Sequence, residues 1–234
     1  MLLALWSPKG GSGTSVVAAA CSLVLARHGG ARLVDLAGDQ PAIFGLSADP
    51  PTGINDWLAA GPEAPTEALA RLAVEAAAEL VLLPRGSAPA SLRPPAAAEA
   101  GAALGVALRD GPVPTVLDLG TAVEPAARAL VEVSDAAVVV VRGCYLALRR
   151  AVAAPALVRS SGIVVVEEAG RSLGAKDVAD VLERPVLAHI TVRASIARAV
   201  DAGVLGTRLP DTLARPVSEM LGRLGLLGLR GRAA

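Results

Sequence analysis

Short apolar runs alternate along the chain with longer segments in which small and apolar residues recur at helical spacing. The runs Leu2–Trp6, Arg32–Leu36, Glu79–Leu83, Thr115–Leu119, Ala136–Val141, Ile163–Val166 and Val186–Ile190 predict strands. Helices are predicted over Thr14–Arg27, Ile54–Ala60, Pro65–Ala77, Ala96–Arg109, Pro125–Val133, Leu146–Ser160, Ala175–Leu182, Ser195–Ala202 and Asp211–Leu224. Ala37–Pro51 and Arg85–Pro95 read as loops, and Pro155 marks a kink or break inside its helix. Strands apolar at consecutive positions, such as Ala136–Val141, are expected where helices cover both faces of a parallel sheet. The alternation therefore predicts an α/β fold, a single doubly wound domain over residues 1–234 with a mostly parallel sheet and helices on both faces. Residues 211–234 read as a closing helix with a flexible tail.

Composition narrows the function. Apolar residues make up 53% and charged residues 19%, which excludes disorder as the general state. Basic and acidic side chains number 22 each, so the surface as a whole has no electrostatic grip on nucleic acid. Aromatics are 2% (Trp6, Phe44, Trp57 and Tyr145), leaving a core of Ala, Val and Leu and no base-stacking platform. Cys21 and Cys144 stand far apart without companion histidines, which fits a reducing cytoplasm and small buried hydrophobes rather than zinc or a disulfide framework. Met1–Trp6 has no basic leader region, and no run reaches the ~18 apolar residues of a membrane span. The expected location is the cytoplasm, or a position peripheral to the inner face of the membrane.

One segment carries chemistry. Trp6-Ser7-Pro8-Lys9-Gly10-Gly11-Ser12-Gly13-Thr14-Ser15 runs from a strand through glycines into a helix. Glycines let backbone N–H groups converge on an anion, and a helix N-terminus adds its dipole. Ser15 stands where a phosphate loop places its Mg²⁺ ligand. The chain is nearly devoid of lysine, with only Lys9 and Lys176, yet one of the two lies in this cluster.

Lys9-Gly10-Gly11-Ser12-Gly13-x-Ser15 resembles the deviant Walker A motif of the MinD/ParA family. Further segments resemble that family in order along the chain: Leu33–Leu36, Thr115–Gly120, Ser134–Val141, Ala188–Ile190 and Ile196–Gly203. The resemblance implies a sheet of seven to eight strands and a site for ATP or ADP with Mg²⁺. It implies that Gly10, Gly11, Ser12, Gly13, Thr14 and Ser15 cradle phosphates, and that Lys9 reaches across a homodimer to the partner's nucleotide. By the same resemblance, Ser15 and Asp118 serve Mg²⁺, Gly120 offers an N–H to a terminal phosphate, and Asp35 opens an acidic switch.

Departures from the motif matter as much. Thr14 replaces the lysine that neutralises phosphate oxygens, a main electrostatic contribution to phosphoryl transfer. Ala37 stands in place of the second switch acid, with Asp39 two residues later as a substitute only if the loop shifts. Glu167 and Glu168 follow the strand after which the family often places an adenine-reading Asn. The expectation is a dimerising spatial-positioning scaffold with weak or absent hydrolysis, working with a protein partner in a division, secretion or pilus machine. Its loop looks most like the septum-site-determining and CpaE/TadZ-like branches. An active ATP-dependent dimerisation switch using Asp39, and a membrane- or DNA-tethered adaptor, remain alternatives.

Contact with DNA or membrane would need a local patch. Arg142, Arg149 and Arg150 form one candidate, for a phosphate or partner contact or as a plain solvated helix start. The stripe Val217, Met220, Leu221, Leu224 and Leu227 forms another, as an interfacial helix or as a terminal helix docked on the sheet.

Overall fold

Eight strands form one sheet in the computed structural model, which describes residues 1–89 and 92–227. They are β1 (Leu2–Trp6), β2 (Ala31–Asp35), β3 (Val74–Ala77), β4 (Leu80–Leu83), β5 (Thr115–Asp118), β6 (Ala136–Arg142), β7 (Gly162–Glu167) and β8 (Val186–Thr191). Their spatial order is β3-β4-β2-β5-β1-β6-β7-β8, parallel throughout except for the antiparallel pair β3–β4. The helices are α1 (Thr14–Ala26), α2 (Gln40–Ile43), α3 (Ile54–Ala59), α4 (Ala68–Leu72), α5 (Ala96–Arg109), α6 (Pro125–Val133), α7 (Tyr145–Val152), α8 (Ala156–Arg159), α9 (Ala175–Leu182), α10 (Ala194–Asp201) and α11 (Asp211–Arg223). The expected fold class, an α/β sheet covered on both faces, is the observed one.

The side-chain period of two divides the core between the two faces. Leu3 and Leu5 of β1 pack on one side with α1, α10 and α11, while Leu2, Ala4 and Trp6 pack on the other with α3, α5, α6, α7 and α9. Helix α1 is buried almost all round, which its small residues Ala18–Cys21 permit by letting it lie close to both the sheet and α11. Trp6 is 1% exposed, and its indole Nε1 donates to Ser160 Oγ at 3.0 Å.

Three predicted elements differ from those observed. Pro65–Ala77 is not one helix: α4 ends at Leu72, and Val74–Ala77 pairs antiparallel with β4 across the turn Ala78-Glu79. Its Ala/Glu composition favours helix, but edge pairing with a buried strand overrides that propensity. Leu146–Ser160 divides at Pro155 into α7 and α8, since proline has no N–H to continue the ladder. The expected loop Ala37–Pro51 contains the short helix α2.

The C-terminal stripe is also decided. Leu213, Val217, Met220 and Leu221 of α11 are buried against α1 and β8, and Leu224 and Leu227 pack partly on the same cluster. The membrane-facing reading of this helix is corrected accordingly: its apolar side is already spent on the core. The expected tail falls on Gly228–Ala234, outside the described residues. Among the described residues no helix is long and apolar enough to cross a membrane. Cys21 is buried as expected, whereas Cys144 is only half-buried.

Candidate functional site

The sheet places the glycine loop at its switch point. From β1 the chain leaves through α1 toward β2, whereas β5 on one side of β1 connects through α6 to β6 on the other. Crossovers that diverge in this way open a crevice at the carboxyl ends of the central strands, where such sheets bind ligands. A cavity of about 440 Å³ lies there, lined by Gly10–Ser15, Ala37, Asp39, Gly120, Thr121 and Arg142 among others.

The loop is built by its own hydrogen bonds. Ser7 N donates to Gly120 O at 2.8 Å, tying the end of β1 to the end of β5. Ser12 Oγ donates to Lys9 O at 2.7 Å and closes the turn from inside. Gly11 and Gly13 adopt φ of +76° and +92°, conformations in which a Cβ would be strained. Gly13 is the N-cap of α1, so Thr14 and Ser15 open that helix.

A carboxylate network lies beneath the cavity. Asp35 and Asp118 end β2 and β5 as register partners, and both are fully enclosed. The amides of Gly38 and Gln40 donate to the two Asp35 oxygens at 2.6 and 3.1 Å, which braces the loop after β2. Gln40 Nε2 donates to Asp118 Oδ2 at 2.8 Å and to Ser15 O at 3.0 Å. The Gly120 amide donates to Asp118 Oδ1 at 3.2 Å. Gln40 Oε1 is buried without a partner among the described residues, and turning the amide over would set that oxygen against two other acceptors. Burial, reinforced by the Asp118 charge, pushes the Asp35 carboxyl up to about 7 against the pull of its backbone donors. Burial likewise raises Asp118, partly offset by donors from Gln40, Ser15 and Gly120 and reinforced by Asp39.

The structure therefore sorts the expected site residues. Gly10–Ser15, Asp39 and Gly120 line one cavity. Asp39 does reach it: Ser15 Oγ donates to Asp39 Oδ2 at 3.1 Å, so the loop after β2 carries an acid to Ser15 although Ala37 cannot. Asp35 and Asp118 sit behind the cavity wall, Asp35 as a brace and Asp118 beside Ser15. Lys9 is half-buried, its Nζ lies 3.4 Å from Gly10 O, and its side chain is not part of the lining. Arg149 and Arg150 are exposed on the last turn of α7, apart from the cavity that Arg142 lines, so the expected basic patch is divided. Glu167 is paired with His189 at 3.2 Å, away from the lining residues.

Sequence reasoning missed Gln40, which bridges Ser15 and Asp118. Its only local signal is a polar residue between Asp39 and Pro41 in a stretch that reads as loop.

The residues present fit a Mg²⁺–phosphate group, because the cavity combines a positive-φ glycine cradle, a helix N-terminus and Ser15 backed by Asp39 and Asp118. Among the described residues no cluster of three or more His, Cys, Asp or Glu could hold a metal alone.

Fold and site together define a doubly wound α/β protein with a glycine-rich loop and a cavity at the switch point of its sheet. The solved structures similar to this chain have the same architecture. A ParA family ATPase from Chlorobium tepidum superposes with a TM-score of 0.75 at 18% identity, covering 94% of this chain and 97% of that one. The septum site-determining protein MinD complexed with Mg-ADP, from Pyrococcus horikoshii, gives 0.73 at 19% identity, covering 99% and 98%. The MinC:MinD cell division protein complex of Aquifex aeolicus gives 0.72 at 19% identity, covering 99% and 98%. No protein-family profile and no curated protein matches the chain.

Proposed function

We propose that this chain is a nucleotide-binding protein of the MinD/ParA kind with a degenerate site, acting as a dimerising scaffold in the spatial positioning of a cellular machine. The observation that carries the reading is the cavity at the end of β1, lined by the glycine loop, Ser15 and Asp39 while position 14 holds a threonine. Support comes from the shared fold of proteins described as a ParA family ATPase, as MinD with Mg-ADP and as MinC:MinD.

In this reading the Gly10–Ser15 backbone and the α1 N-terminus bind the phosphates of ATP or ADP. Ser15 holds Mg²⁺, and Asp118, fixed by Gln40 and Gly120, orders its water shell. The ion supplies neutralisation of phosphate charge. Thr14 cannot add the positive charge of a lysine at the transferring phosphate, so turnover is slow or absent while binding persists. Lys9, outside the cavity lining of its own chain, is free to serve a second copy across a homodimer. The protein partner belongs to a division, secretion or pilus machine, and the site resembles the CpaE/TadZ-like branch.

One observation favours a second reading. Asp39 sits in the cavity at 3.1 Å from Ser15 Oγ, where an acid could orient an attacking water in an active ATP-dependent dimerisation switch. Titration with Mg·ADP and Mg·ATP, alongside phosphate release and dimerisation assays, separates the two. The scaffold requires nucleotide binding, no appreciable phosphate release, and release gained on Thr14→Lys. Phosphate release by the native chain that is abolished by Asp39→Asn establishes the switch instead. Absence of binding in native, Lys9→Ala and Thr14→Lys chains alike would reduce the loop to a structural turn.

A further inference from the structure

Thr14 is 5% exposed at the first residue of α1, so the strand–loop–helix unit presents no cation of its own to the cavity. One residue in the lining nevertheless carries a full positive charge: Arg142. It is the last residue of β6, which lies directly beside β1, and it is in register with Val166 of β7. The guanidinium therefore comes from the carboxyl end of the strand adjacent to the glycine loop.

Its existing contacts engage it loosely. Arg142 Nε is buried with no hydrogen-bond partner among the described residues. Nη1 approaches Glu168 Oε2 at 3.7 Å, but that same oxygen is held at 2.7 Å by Arg171 Nη2 and at 3.0 Å by Arg171 Nε. Arg171 rather than Arg142 is thus the main partner of Glu168, and Arg171 chiefly holds that carboxyl below its ordinary value. A guanidinium is planar, permanently charged and matched to two phosphate oxygens at once. Placed beside a glycine cradle, with Glu168 already held by Arg171, it suits a polyphosphate better than a second claim on Glu168.

We propose that Arg142 supplies, from β6, the phosphate-neutralising positive charge that Thr14 does not, so that the cavity takes a nucleoside di- or triphosphate through an arginine. This rests on the nucleotide-binding reading above and adds the residue that makes binding possible without the loop lysine.

The test is calorimetric titration of AMP, Mg·ADP and Mg·ATP into the native full chain and into Arg142→Gln, Arg142→Gln/Thr14→Lys and Glu168→Gln. Loss of a charge-assisted phosphate contact is expected to weaken ADP and ATP by about 10- to 100-fold in Arg142→Gln. AMP, with a single phosphate, is expected to change little, and adding Thr14→Lys is expected to restore ADP and ATP. A merely structural role for Arg142 would weaken all three nucleotides alike and would not be rescued from position 14, and that pattern overturns the proposal. Glu168→Gln serves if Arg142→Gln does not fold. Freed of the competing carboxylate, Arg142 is expected to bind Mg·ADP about two- to threefold more tightly, the scale of an exposed ion pair. Unchanged or weakened binding in Glu168→Gln overturns the proposal as well. If Arg142→Gln binds ADP as the native chain does, only the role of Arg142 falls. If the native chain binds no nucleotide, the reading of the site itself falls.

Discussion

Asp35 makes the interior of this protein sensitive to pH, and the direction follows from its surroundings. In the unfolded chain its carboxyl loses its proton near 3.8, whereas in the folded protein burial and the Asp118 charge raise it to about 7. Between those values the folded state holds a proton that the unfolded state has released, so stability falls as pH rises. The contribution is fully present below 3.8 and is lost as pH climbs through about 7. A difference of about three pKa units corresponds to on the order of 4 kcal/mol, at roughly 1.36 kcal/mol per unit.

Asp35→Asn removes this titration. It also sets an amide NH₂ against one of the two backbone donors, Gly38 N or Gln40 N, a pH-independent cost of about 1–3 kcal/mol. Urea unfolding of both chains at pH 5, 6, 7 and 8, extrapolated linearly to water, is the assay. The native chain is expected to exceed the variant most at pH 5, and the gap should narrow by a few kcal/mol toward pH 8. A gap that stays constant or widens with pH would show that Asp35 is ionised in the fold throughout, and the reasoning would fail.

Three other outcomes follow from the same geometry. Ser15→Ala, which removes the hydroxyl facing Asp39, should abolish the dependence of ADP binding on Mg²⁺ while leaving thermal stability within about 0.5 kcal/mol, as checked by titration with and without chelator. Gly101→Ala places a Cβ against the Ala126 backbone where α5 crosses α6, and should cost about 1–3 kcal/mol in urea unfolding. Trp6→Phe removes the Nε1 donor to Ser160 in a fully packed site and should cost about 1–3 kcal/mol, with wild-type-like far-UV circular dichroism.

Much of the architecture was legible because the signals are local. Ala136–Val141 is apolar at every position, as expected of a strand covered on both faces, and β6 is that strand. The glycine loop was readable because its spacing alone encodes a backbone conformation, which Gly11 and Gly13 adopt. The edge strand β3 was not readable, since Val74-Glu-Ala-Ala favours helix until β4 offers it a pairing partner. Nor was the fate of the C-terminal stripe, because an amphipathic helix looks the same whether a membrane or α1 takes its apolar side.

The sequence by itself thus determined the α/β class, the glycine-rich loop between β1 and α1, and the threonine that opens the helix at position 14, all properties of contiguous residues. Tertiary structure alone decided which distant residues answer to that loop. It brought Asp39 to Ser15, linked Gln40 to Asp118, and set Arg142 in the cavity apart from Arg149 and Arg150. The physical reason is sheet order: β1 lies between β5 and β6, neither its neighbour in sequence, and only that pairing gathers the three strand ends around one crevice.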